Sequence, residues 1–175
     1  MANYLEGGIK MMAIKSSIKG YHHFQRRPHI QIEMNVIREP TNRFDRYACT
    51  VNMPHLREID RQLHNDVTRP PTGQTVKDIA GRTIGRVPAN LCRLFSELLE
   101  DGMTEKIVCV YKGEIRTAGA TRFARGGRGC RDRAGGGPEL KCQYRMTLRN
   151  DVTYQQIDAK IKRLIPREDR DNFSL

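Results

Sequence analysis

The chain's pattern predicts a small α+β protein, mainly β, in which about six strands curl into an OB-like or SH3-like partial barrel. Three observations carry that prediction. Apolar and polar residues alternate over several short runs. Gly, Pro and Asn clusters punctuate those runs. Helical spacing is confined to a few stretches, the clearest following the GRTIGRVP segment and near the C-terminus.

Residues 1–12, with Gly7 and Gly8 adjacent, show no periodicity and read as a loose leader. Ala13 to Gly20 alternates, and so does His29 to Arg38, where Ile30, Ile32, Met34 and Val36 share one face at period two. Arg46 to Met53 repeats the pattern with Tyr47, Cys49 and Val51. It follows an EPTN turn in which Pro40 fixes φ and Asn42 tolerates turn geometry. Leu56, Ile59, Leu63 and Val67 recur at helical spacing and predict a short helix that stops before Pro70 and Pro71, with a loop to Thr75. Arg82 to Val87 is a short strand holding Gly85, a residue expected to permit a close backbone approach.

Pro88 then opens a helix through Leu91, Leu94, Phe95, Leu98 and Leu99 that stops at Gly102. Lys106 to Tyr111 and Leu140 to Leu148 read as strands, the latter with Leu140, Cys142, Tyr144 and Met146 on one side. Tyr154, Ile157, Ile161 and Leu164 make an amphipathic helix over 153–165, a stripe that suits packing on the barrel or a partner. The barrel domain is thereby expected over 13–150, and the C-terminal helix and tail over 151–175.

No apolar run is long enough for a membrane-spanning helix, and the N-terminus lacks the build of a signal peptide. The expected setting is intracellular, nuclear or cytoplasmic. Cys49, Cys92, Cys109, Cys130 and Cys142 form an odd set without a CxxC pair, so they read as free thiols, mostly buried, and not as a disulfide framework or zinc site. Phosphate-loop, HExxH and GxSxG motifs are missing. No cofactor, metal or catalytic residues are expected, and the chain reads as a non-enzyme.

The net charge is +11, and ten basic against three acidic residues lie between Lys112 and Arg149. The centre of that surplus, ARGGRGCRDRAGGG within a flexible Gly/Arg loop near 113–138, resembles segments that track nucleic-acid backbones. Arg122, Arg125 and Arg128 are its candidate phosphate contacts, although such a charge run equally suits a solvated loop.

The block REPTNRFDRYA over 38–48, followed by GRTIGRVP over 81–88 and an apolar helix, resembles the HIRAN domain. Arg38, Glu39, Pro40, Asn42, Phe44, Asp45 and Ala48 match one part of that pattern, and Ile84, Gly85, Val87 and Pro88 the other. The upstream IKGYHHF, Ile18 to Phe24, is similar to the family's first strand and its aromatic and basic cluster.

The resemblance spans roughly 14–148 and implies a barrel that grips single-stranded DNA at its 3′ end. The residues implied are His22, His23, Phe24, Asn42, Phe44, Asp45 and Arg86. Phe44 or Phe24 offers a flat face to a terminal base. Asp45 can accept from a 3′-hydroxyl and repel a 3′-phosphate, and Asn42 can hold a base edge or sugar. Alternatives stand beside these roles: Asp45 can cap its own turn, and Phe44 can pack in the core.

Arg43 departs from the family's frequent Pro, and His22 and His23 from its Arg and Tyr. Residues 54–75 look inserted relative to the family. The partner expected is single-stranded DNA, or RNA, in a DNA-repair setting. A protein partner on the C-terminal helix or the inserted segment is the competing expectation.

Overall fold

A computed structural model of the chain describes residues 9–117 and 137–174. The strands are β1 (Lys10–Ile18), β2 (Glu33–Arg38), β3 (Cys49–Asn52), β4 (Val67–Arg69), β5 (Gln74–Thr75), β6 (Thr83–Arg86), β7 (Thr104–Arg116), β8 (Glu139–Leu148) and β9 (Phe173–Ser174). The helices are α1 (Tyr21–Phe24), α2 (Val76–Ile79), α3 (Ala89–Glu100) and α4 (Tyr154–Leu164).

Seven strands form one antiparallel sheet in the order β6-β3-β2-β7-β8-β1-β9, and β4 with β5 makes a separate ribbon. The large sheet curls until β6, at one edge, meets the end of β1, the strand next to the other edge. Lys19, just past β1, exchanges two hydrogen bonds with Arg86 of β6, each 2.9 Å long. The result is the mainly β partial barrel that the alternation predicts.

Gly85 makes this seam possible. A Cβ there would stand 2.3 Å from the Lys19 carbonyl oxygen and 2.6 Å from Ile18 Cγ2, so any side chain forces the seam apart.

Alternation builds the interior. Met12, Ile14 and Ile18 of β1 face Leu140, Cys142, Tyr144, Met146 and Leu148 of β8 in an unbroken ladder. The apolar face of α3 lies against this core, with Phe95 edge-on to Tyr144 at 5.1 Å between ring centres. Ile157 and Ile161 of α4 are buried in the same core, and Lys160 reaches Glu97 and Asp101 of α3. The C-terminal stripe is therefore occupied within the chain.

Several boundaries differ from the sequence reading. β1 starts at Lys10, inside the stretch read as leader, and Met12 is fully buried. β2 starts only at Glu33 and Ile30 is exposed, because a turn closed by Ile32 N–H on the His29 carbonyl precedes the strand. Tyr47 lies in a turn and not in β3. The helix expected over Leu56 to Val67 does not form.

In its place come two 3-10 turns, Leu56–Glu58 and Arg61–Leu63, and then β4. Glu58 Oε2 accepts the His55 N–H, and Asp60 Oδ1 accepts the Gln62 N–H. These local bonds restart the chain twice between His55 and Leu63, competing with a continuous helix. Val67 faces solvent as a result.

β7 runs on to Arg116, beyond the expected Tyr111. Past a register shift it pairs only with β8, and the exposed run Lys112, Gly113 and Glu114 breaks the alternation before Ile115, opposite Leu140, packs against the core. Cys49, Cys92, Cys109 and Cys142 are free and buried, and Cys130 lies outside the described residues.

Candidate nucleic-acid interface

The REPTNRFDRYA block forms a connection between β2 and β3 whose shape is fixed by its own polar side chains. Asn42 Oδ1 accepts the N–H groups of Phe44 at 2.9 Å and Asp45 at 3.2 Å. Asp45 Oδ1 accepts the Tyr47 N–H at 2.8 Å, and the Ala48 N–H returns to the Asp45 carbonyl. This is the Asx-turn chemistry that Asn and Asp bring to tight connections. It leaves the Phe44 ring nowhere to pack, and the residue is 100% exposed.

Beneath the turn lies a cleft of about 280 Å³ bounded by Asn42, Phe44, Asp45 and Arg86. Its floor is made of small residues, Ala48, Cys49, Val87, Ala89 and Cys92. Burial pushes the Cys49 thiol up to about 12 and the Cys92 thiol to about 11, so both stay neutral and the floor stays uncharged. Cys92 Sγ donates to the Val87 carbonyl at 3.2 Å, joining α3 to the end of β6. The floor can take a flat apolar face, and the rim can take charge.

Arg86 is anchored over this rim. Its Nη1 donates to Glu39 Oε2 at 3.0 Å, and Asn42 Nδ2 donates to the same oxygen at 3.2 Å. Both ends of the Asn42 amide thus take part in shaping the turn. On the far side of the turn, the guanidinium groups of Arg46 and Arg93 lie over the Tyr47 ring at 4.7 and 5.3 Å.

Of the residues the sequence singles out, Asn42, Phe44, Asp45 and Arg86 come together here. His22, His23 and Phe24 do not. The strand expected to carry them ends at Ile18, Gly20 turns the chain with φ of 87°, and the three residues sit on α1. There His23 meets Phe24 edge-on at 4.9 Å, and Gly137 packs against His22. Arg122, Arg125 and Arg128 lie outside the described residues.

Sequence reasoning missed Arg46, Arg93 and the thiol floor. Arg93, a basic residue on the solvent side of a predicted helix one turn past its start, was the available signal. Among the described residues no cluster of three or more His, Cys, Asp or Glu side chains could hold a metal ion, and no helix is long and apolar enough to cross a membrane. Comparison of the chain with protein-family models, curated proteins and solved structures returns no match.

Proposed function

We propose that the chain is a nucleic-acid-binding module, of the HIRAN type its sequence resembles, that holds the 3′-hydroxyl end of single-stranded DNA in the cleft and performs no catalysis of its own. The observation that carries this reading is a fully exposed Phe44 at the mouth of an apolar-floored cleft with Asp45 and Arg86 on its rim. An aromatic ring left entirely in water is poorly placed for stability and well placed to stack a base, an interaction of about 1 to 3 kcal/mol.

Asp45 supplies the end preference. With Oδ1 taken by the Tyr47 N–H, the other oxygen is left to accept from a terminal hydroxyl, and the carboxylate repels a terminal phosphate. Arg86 offers the rim its charge for a backbone phosphate. The net charge of +11 favours association with any polyanion and makes it salt-dependent.

Fluorescence anisotropy tests the reading, using labelled single strands that end in a 3′-hydroxyl or a 3′-phosphate, with an RNA strand of the same sequence alongside. Binding that weakens on 3′ phosphorylation, and loses that discrimination in Asp45→Ala, is the expected result. End-indifferent binding that vanishes with salt rejects it and directs attention to protein partners.

A further inference from the structure

A second groove, of about 660 Å³, runs beside the cleft between β1, the outer parts of β7 and β8, and the entry to α3. The two cavities share a wall. Arg86, Val87 and Ala89 line the cleft, Pro88 and Asn90 line the groove, and Lys19 on the groove side is hydrogen-bonded to Arg86 in both directions. The ridge between them is one backbone wide.

Lys15, Lys19, Lys112, Arg116 and Lys141 face the groove, against three carboxylates. Two of those carboxylates are matched, Glu139 by Lys19 and Glu114 by Lys141. The third, Asp169, accepts from Asn90 Nδ2 at 2.9 Å. Lys15 and Lys112 form no ion pair among the described residues, while the Arg116 charge also acts on Glu114 and Glu139.

Their placement on both sides of a groove of this size suits a chain of phosphates. Lys15 stands on β1 and the other two on β7, with β8 between these strands. Two strand spacings put roughly 10 Å between the two sides. Cations on both sides of so large a groove can each meet a different phosphate of one strand. Ser16 and Ser17 add neutral groups to the same wall, and such lysine and serine contacts hold a backbone without reading bases.

We infer that this groove carries the phosphodiester backbone of the nucleotides preceding the terminal one, so that a short run of single strand lies across the ridge with its 3′ end in the cleft. The polarity rests on the cleft reading above; the groove's affinity for the backbone does not. On the β8 side the groove reaches Glu139, two residues after the Gly137 that packs on His22. The α1 cluster therefore flanks the path although it stands outside the cleft.

The test is competition by oligothymidylates with free 3′-hydroxyls, one of about two and one of about eight nucleotides, against a labelled strand. The longer competitor is expected to bind at least about tenfold more tightly at low salt. In Lys15→Gln/Lys112→Gln that advantage disappears while the short competitor binds as before, and the log-log salt slope becomes shallower by about 0.7 for each phosphate no longer neutralised. Lys15→Arg/Lys112→Arg retains it. Both positions are exposed, so the fold is expected to survive.

A length advantage absent from the native protein, or one that survives in the Gln variant, overturns the inference. If 3′ phosphorylation changes nothing while the advantage is present in the native protein and absent from the Gln variant, the cleft reading fails and the groove stands.

Discussion

Glu39 Oε2 accepts from Arg86 Nη1 at 3.0 Å, tying the connection that carries Phe44 to the strand that closes the barrel. The pair does two things at once: it fixes the rim, and it withholds part of the Arg86 charge from the cleft. Glu39→Gln is therefore expected to tighten binding of any oligonucleotide while reducing the preference for a free 3′-hydroxyl. Both side chains are substantially exposed, which limits the gain to at most about 1 kcal/mol, roughly fivefold in Kd. Anisotropy with the two end chemistries reads both effects.

Phe44 and Asn42 separate binding from folding. Phe44 touches no core, so Phe44→Ala should leave stability within about 0.5 kcal/mol of the native protein and weaken oligonucleotide binding by about 1 to 3 kcal/mol. Asn42→Ala strips the acceptor from two N–H groups and should lower stability by about 1 kcal/mol. It should also weaken binding, because Phe44 and Asp45 are no longer held in place. Paired thermal melts and titrations of the two variants distinguish the roles, since only Asn42→Ala shifts the melt.

Gly85→Ala tests the barrel seam. The added methyl meets a backbone carbonyl, which cannot swing aside as a flexible side chain can. A loss of about 3 kcal/mol or more is expected, together with the cleft, since Arg86 and Val87 follow directly. Chemical denaturation should show a lower midpoint, and Gly81→Ala, which meets only the His55 ring and the strain of a positive φ, serves as the milder comparison.

Where one periodicity ran uninterrupted, the sequence was legible. β8 shows five inward residues in strict alternation, and α3 an apolar stripe over twelve residues, and both appear nearly where expected. Residues 56–67 mislead because their helical spacing is real, yet His55, Glu58 and Asp60 satisfy the backbone locally and cut the helix into turns. β9 is two residues long and owes its existence to the open edge of β1, a partner that no local pattern announces. The cleft was half legible for the same reason. Asn42, Phe44 and Asp45 lie in one short block, whereas Cys92 joins them only through the packing of α3.

Glu97 predicts a response to acid. It accepts from Arg93, Lys160 and Arg163 at 3.0, 3.0 and 2.7 Å. Burial alone pushes its carboxyl up, but the hydrogen bonds from Lys160 and Arg93 outweigh burial and hold it below the ordinary glutamate value. A depressed carboxyl stabilises the fold at pH above the unfolded value near 4.5, and that contribution drains away as pH falls through the lower folded value. Glu97→Gln should cost about 1 to 2 kcal/mol at neutral pH and flatten the acid limb of the stability curve, followed by urea denaturation from pH 7 downward.

The seam at Lys19 and Arg86 joins distant parts of the chain with only two backbone hydrogen bonds, while the β7 and β8 hairpin is stitched along most of its length. A ring opens first at its thinnest weld. The amides of Lys19 and Arg86 should therefore exchange with solvent deuterium well before those of the hairpin. Because Arg86 also forms part of the cleft rim, each such breathing event dissolves the cleft while the rest of the barrel stays intact. Occupancy of the cleft would then be felt as slower exchange at the weld, a gauge of ligand engagement that needs no label on the ligand.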